Sequence, residues 1–180
     1  MLRAFVAGEL DLALRERLAG LLAELRPRWP QLRWVRPEGI HLTLRFLGSS
    51  APDALARLSP LVRSAAAACP AFEARLDGLG IFPARGEPRV LWLGLDLPPA
   101  AFELQRRCEA AAVAAGFAPE PRAFRPHLTL GRWRERAARP ELPGVEPATG
   151  RCRHVALLSS ELKPGGAVYR TLESFELAAG

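Results

Sequence analysis

The sequence predicts an α+β fold with antiparallel or mixed sheets, one per lobe, each covered by a long helix. Two observations carry that expectation. The tetrapeptide His-Leu-Thr-Leu occurs at residues 41–44 and again at 127–130, and such self-similarity points to an internal duplication. Strand-like segments also alternate with two long helical patterns, while several of the connections are of hairpin length, an arrangement that suits helices laid on sheets. The 180 residues suffice for one domain made of two similar lobes, with no linker that would separate independent units.

Element by element, Ala4-Phe5-Val6-Ala7 is a short apolar run and reads as an opening strand. Asp11 is a suitable N-cap for a helix in which Leu14, Leu18, Leu21, Leu22 and Leu25 form one apolar stripe, and Pro27 stops it. Trp34-Val35 and His41–Leu47 read as strands around the turn Arg36-Pro37-Glu38-Gly39, with Gly48 closing the second. Pro52-Asp53 opens a helical stretch carrying Leu55, Leu58 and Val62, which Pro60 is expected to bend or split. Residues 72–77 alternate apolar and charged, as a half-buried strand does. Ile81–Arg89 reads as a loop, and Val90–Leu95 as a nearly continuous apolar strand. The second long helix spans 98–115 with Phe102, Gln105, Cys108 and Ala112 on one stripe, ended by Gly116. Phe124–Trp133 is the strand of the second His-Leu-Thr-Leu, and 134–150 reads as a loop. Two final strands, 154–162 and 168–177, flank the turn Pro164-Gly165-Gly166.

The net charge is +6 and the pI about 10.4, carried almost wholly by arginine, since Lys163 is the sole lysine. Guanidinium groups suit bidentate contacts to phosphate and stacking on bases, so a polyanionic substrate is indicated. A GC-rich coding bias also replaces Lys by Arg, and it explains the Arg/Lys ratio better than the net excess of charge. Cys69, Cys108 and Cys152 are odd in number and widely spaced, which argues against a disulfide framework and a zinc ribbon. Glu9 and Asp11 interrupt the first apolar run, unlike a signal peptide, and no apolar run reaches the ~18 residues of a membrane span. The expected location is the cytoplasm.

Several chemistries are unsupported. The chain has no G-x-x-x-x-G-K-[ST] loop, no G-x-S-x-G elbow and no H-E-x-x-H pair, so neither a metal site nor a cofactor is expected. What remains is two histidines in identical settings. In a strand, alternate side chains share a face, so each copy offers an imidazole and a hydroxyl to one side and anchors two leucines on the other. A neutral imidazole removes a proton from an attacking oxygen while an imidazolium protonates the leaving oxygen. Threonine hydroxyls on the same face hydrogen-bond the non-bridging oxygens of a phosphate. The kit suits an in-line displacement at phosphorus without a metal.

With these flanks the chain resembles the 2H phosphoesterase superfamily, specifically the bacterial and archaeal RNA 2′,3′-cyclic phosphodiesterases also called 2′-5′ RNA ligases. The matching stretches are Arg3–Ala7, Gly39–Gly48, Gly78–Pro83, Arg89–Gly94, Phe124–Arg132, Leu158–Leu162 and Gly166–Tyr169. The resemblance implies a bilobal duplicated fold in which two sheets face a central cleft, with helices on the outer faces. It implies hydrolysis of a terminal 2′,3′-cyclic phosphate on RNA to a 2′-phosphate, without metal or ATP. It makes His41 the general acid at the 3′-oxygen and His127 the general base on water. Thr43 and Thr129 then bind phosphate, Phe5 stacks on the terminal base, and Arg132 contacts a phosphate. The ligase name reflects the reverse reaction, joining a cyclic end to a 5′-hydroxyl with the imidazoles exchanging roles. The expected partner is RNA bearing 2′,3′-cyclic phosphate ends, with no membrane and no obligate protein partner, and the chain is expected to be a monomer.

Some residues read differently without the resemblance. On composition alone Phe5 is a core residue, and Trp29, Trp34, Trp92 and Trp133 are core or cleft wall. His154 lacks the motif and reads as a plain strand or surface histidine. Tyr169 and Ser160 match family positions without an assigned role. The arginines from Arg132 through Arg139 read as an RNA-tracking strip or as a solvated loop. Two other readings stay open: a phosphodiesterase for a small cyclic nucleotide, and a non-catalytic RNA-binding module.

Overall fold

A computed structural model describes residues 1–163 and 166–179. Among the described residues, eight strands and three α-helices follow in the order β1 (Leu2–Leu10), α1 (Leu12–Leu25), β2 (Leu32–Trp34), β3 (Leu42–Ser50), α2 (Pro52–Ala67), β4 (Phe72–Phe82), β5 (Val90–Asp96), α3 (Pro99–Ala114), β6 (His127–Trp133), β7 (Thr149–Lys163) and β8 (Gly166–Glu176). The α+β class is as expected, and every ladder between these strands is antiparallel.

Where the sequence predicts two sheets, hydrogen bonding joins the strands into one open sheet, in the order β2-β6-β5-β4-β7-β1-β3 with β8 also on β7. The reason is the length of β7. Along one edge it pairs first with β4 through Thr149–Cys152 and then with β8 through His154–Lys163. Along the other edge it pairs with β1 through Cys152–Ser160.

The helices form as their sequences dictate, with two corrections. Asp11 caps α1, accepting from the Leu14 amide at 3.0 Å, and its second oxygen accepts from the Arg151 amide at 2.7 Å, tying the cap to β7. The five predicted leucines are its buried residues. Pro60 does not split α2, which runs unbroken from Pro52 to Ala67. Its ring and the Ala56 whose carbonyl it leaves unpaired both face solvent, where water satisfies the oxygen. On α3 the buried stripe is Ala101, Leu104, Cys108, Ala111 and Ala112, rotated from the predicted one, so Phe102 and Gln105 lie at its margin. Gly116, at φ +98, supplies the left-handed residue that ends it.

Strand limits move outward at several places. Ile81-Phe82 belongs to β4 and Thr149–Cys152 to β7, because each residue has a ladder partner. The predicted turn at Pro164-Gly165-Gly166 lies, apart from the Gly166 that begins β8, outside the described residues. β1 and β7 are buried on both faces. Ala4, Val6, Val155 and Leu157 join the main core beneath the helices, while Phe5, Ala7, Ala156 and Leu158 form a second cluster on the opposite face. That explains the unbroken apolar run at 4–7.

Candidate active site

Leu42, Leu44, Leu128 and Leu130 all sit in the main core, and His41, Thr43, His127 and Thr129 lie half-buried. The alternation predicted for each motif therefore holds: leucines inward, imidazole and hydroxyl on the other face. Past the threonine the alternation breaks, in the same way in both copies. Val6 pairs with Arg45 and Ala7 with Thr43, so Leu44 has no partner. Leu91 pairs with Gly131 and Trp92 with Thr129, so Leu130 has none. An extra residue on one strand reverses the facing of everything after it. The bulges thus turn Arg45 inward and bring Phe46 and Arg132 onto the face of the histidines.

His41 is packed among rings. Phe5 stacks on it at 4.5 Å between centroids and 22° between planes. Tyr169 meets it edge-on at 4.9 Å. Tyr169 approaches this closely because residue 39 is glycine; a Cβ there would lie 2.9 Å from Tyr169 Cε2. Burial pushes the His41 imidazole down to about 4, assisted by the nearby Arg15 charge and opposed by a hydrogen bond to the Gly39 backbone. His41 is therefore neutral near pH 7. Burial also pushes the Tyr169 hydroxyl up, while the charges of Arg132 and Arg3 pull it down.

His127 has a matching setting on its own strand. Its Nδ1 donates to the Arg125 carbonyl at 2.7 Å, so Nε2 is the ring nitrogen outside that bond. Both histidines are thus held by the backbone two residues before them. Phe82 meets the His127 ring edge-on at 5.2 Å, and Trp92 lies at 6.3 Å. Phe82 and Trp92 stack on one another at 5.1 Å. The indole fits over β4 only because Gly80 has no Cβ, which would fall 2.0 Å from it.

Three connections draw the two motif strands together. Trp34 pairs with Gly131 and the Val35 amide donates to the Leu130 carbonyl at 2.8 Å. From there the 3-10 turn Pro37–Gly39 delivers the chain to His41. β3 also touches β6 directly, and Arg132, on the His127 strand, is close enough to act on Tyr169, which touches His41. Behind the face, Arg45 forms an ion pair with Glu109 of α3 and donates to the carbonyls of Phe46 and Ala118. Glu109 in turn accepts from the Glu120 amide at 2.9 Å. This buried arginine, 6% exposed, fastens the first motif to the segment that leads into the second.

The LigT like Phosphoesterase family matches this sequence across residues 10–92 and again across 95–169, one His-Leu-Thr-Leu in each stretch. The chain belongs to the LigT-like phosphoesterase family. An RNA 2′,3′-cyclic phosphodiesterase of Methanothermobacter thermautotrophicus is 36% identical over 182 residues, covering 97% of this chain and 98% of that one. A crystal structure of a Thermus thermophilus protein aligns with a TM-score of 0.86 at 32% identity over 98% of each chain. That of E. coli LigT complexed with 3′-AMP aligns with a TM-score of 0.78 at 28% identity, again over 98% of each.

In this LigT-like chain the predicted site residues fall into distinct settings. Thr43 follows His41 and Thr129 follows His127 on the open face, and Arg132 joins them through its bulge. Phe5 is only 4% exposed, its ring covering His41. His154 is exposed on β7 opposite Glu9 and Glu176, outside both ring clusters. Arg136 pairs with Glu87 at 3.1 Å and Arg139 donates to the Pro83 carbonyl at 2.5 Å, which pins the segment after β6 to the β4–β5 loop. Phe46, Arg45, Phe82 and Arg15 escaped the sequence reading. Phe46, 52% exposed, and Arg45 change places at a bulge that carries no residue signature. Phe82 lay in a segment that reads as a loop. Among the described residues no group of three or more His, Cys, Asp or Glu is arranged to hold a metal ion. No described helix is long and apolar enough to cross a membrane.

Proposed function

We propose that this LigT-like phosphoesterase hydrolyses the 2′,3′-cyclic phosphate at an RNA end to a 2′-phosphate, using two imidazoles and neither metal nor ATP. The observation that carries it is the matched pair of settings: two histidines, each held by the backbone two residues before it and each followed by a threonine on the same face. The fold supports a duplicated, bilobal reading. β1-α1-β3 and β5-α3-β6 are equivalent units, each pairing its motif strand with the strand before its helix, and the motif strands face a shared cleft within one domain over residues 1–180. The chain works as a cytoplasmic monomer.

In the reaction, water attacks phosphorus on the side opposite O3′. His127 Nε2 takes the water proton, the P–O3′ bond breaks, and His41 gives a proton to O3′. The product carries a 2′-phosphate and a free 3′-hydroxyl, and the two imidazoles exchange protons with solvent to reset. Thr43 and Thr129 hydrogen-bond the non-bridging oxygens, and Arg132 offsets the developing negative charge. A 5′-hydroxyl in place of water gives a 2′-5′ linkage. Because His41 is neutral in the free protein, its acid form arises on binding: a phosphate anion ~4 Å away adds about 4 kcal/mol at an effective dielectric near 20, about three pKa units upward. Phe5 supports the terminal base indirectly, through the aromatic surface it builds with His41, and Phe46 adds an exposed ring on which a base stacks without sequence preference. The 3′-AMP ligand of the E. coli relative supports a nucleotide-sized occupant.

The test is an EDTA-containing assay of a short RNA ending in a 2′,3′-cyclic phosphate, with the product end resolved. The expected product is the 2′-phosphate, and His41→Ala and His127→Ala each lose roughly 10²–10⁴ in rate. Turnover of a cyclic mononucleotide alone would move the substrate class. Turnover of neither would leave an RNA-binding module.

A further inference from the structure

The two histidines sit in matched settings, yet the proposed reaction needs one to act as acid and the other as base. The duplicated units alone do not distinguish them; the distinction comes from β8. That strand pairs with β7, outside both β1-α1-β3 and β5-α3-β6, and it carries the chain's single tyrosine to one histidine. Ladder pairing sets Arg3, Ser160 and Tyr169 side by side on β1, β7 and β8. Directly opposed residues share a face, and Phe5, two residues after Arg3, shares it too. The Tyr169 ring accordingly meets Phe5 at 5.7 Å and His41 at 4.9 Å, both edge-on. Its hydroxyl lies in the field of Arg3 and of Arg132 from the second motif strand, while burial keeps it protonated near pH 7. A protonated hydroxyl flanked by cations is a donor poised for an anionic ligand. The rings beside His127 offer no counterpart: Phe82 is a hydrocarbon, and Trp92 Nε1 is buried.

We propose that Tyr169 decides which ester oxygen leaves. Its hydroxyl donates to O2′ of the bound cyclic phosphate and holds that oxygen equatorial, so that O3′ takes the apical position beside His41. The P–O3′ bond breaks with its electron pair on O3′, which takes the proton of His41. The P–O2′ bond survives, and Tyr169 keeps its own proton throughout. The inference rests on the cyclic phosphodiesterase reading of the site and adds the residue that fixes its product.

Tyr169→Phe tests it, because the ring keeps its packing on Phe5, His41 and Gly39 while the hydroxyl goes. A short RNA ending in a 2′,3′-cyclic phosphate is hydrolysed, and the 2′- and 3′-phosphate products are resolved by chromatography. The wild type is expected to release 2′-phosphate alone. Tyr169→Phe is expected to release both, with 3′-phosphate at about a tenth of the product or more, once one hydrogen bond no longer separates the two choices. Phe5→Leu loosens the same ring cluster without removing the hydroxyl, and is expected to release 2′-phosphate alone whatever its rate. Mixed products from Phe5→Leu as well would trace the choice to packing and overturn the inference. So would a Tyr169→Phe enzyme that still releases 2′-phosphate alone, or one that is folded and silent; either leaves the hydrolase reading intact. If only a cyclic mononucleotide is turned over, the same product ratio is read on it. A wild type that hydrolyses neither substrate overturns the cyclic phosphodiesterase reading and this inference with it.

Discussion

Thinning the aromatic cover over His41 has a calculable effect. Burial takes its imidazole from 6.5 to about 4, and at 1.36 kcal/mol per unit that depression is worth about 3 kcal/mol. Phe5 is one of two rings in contact with it. Phe5→Leu keeps an apolar side chain in the cluster yet uncovers one face of the imidazole, so it should return part of that depression and move His41 back up toward its ordinary value. The sign for stability follows. The folded state holds His41 neutral, the unfolded state does not, and protons therefore favour unfolding between pH 6.5 and about 4. The wild type loses about 3 kcal/mol as the pH falls through that window, and Phe5→Leu loses less. The chain has three histidines, so imidazole resonances followed by NMR across pH, assigned with His154→Gln and His127→Gln, read the value directly. Inorganic phosphate should raise it by up to about three units. A wild-type His41 that titrates near 6.5, or one that phosphate leaves untouched, would refute the reasoning.

The assignment of acid and base predicts a contrast between leaving groups. With bis(p-nitrophenyl) phosphate, whose aryl oxide departs without a proton, His41→Ala should lose at least tenfold less activity than with the cyclic phosphate, while His127→Ala loses on both; the opposite pattern reverses the roles. The buried pair behind the site predicts a thermodynamic coupling. Arg45→Met leaves Glu109 without its cation and should cost about 3–5 kcal/mol, lowering Tm by about 10 °C. Arg45→Met with Glu109→Leu should recover more than half of that in calorimetry, and additive losses would show that the two side chains act separately.

How much of this was legible depended on whether a pattern was local. The five leucines of α1 and the cap at Asp11 gave that helix to within a residue, because 3.6-residue periodicity and capping act over single turns. The His/Thr face was legible from period two, but only as far as Leu44 and Leu130. Carried further, strict alternation turns Arg45 outward and Phe46 inward, and it buries Arg132. The bulges invert all three, and a bulge is set by pairing with β1 and β5, strands distant in sequence. Arg132 entered the expected site through family likeness alone. The rings around His41 were hidden for the same reason, since Tyr169 reaches it from β8 through tertiary packing. Pro60 leaves its helix unsplit because the cost of an interior proline depends on which side of the helix loses its hydrogen bond.

The length of β7 has a consequence for how the chain is made. The partner of one edge of β1, β3, is complete once residue 50 has been synthesised, whereas the partner of its other edge, residues 152–160, follows about a hundred residues later. At 5–20 residues per second that interval is on the order of ten seconds. Throughout it, the growing chain carries an unpaired apolar strand edge, a template for pairing with other chains. β7 and β8, translated after the other six described strands, are therefore the ones that close the sheet. Truncation before β7 would yield an aggregating fragment in place of a smaller working lobe, despite the repeat on which each half is built.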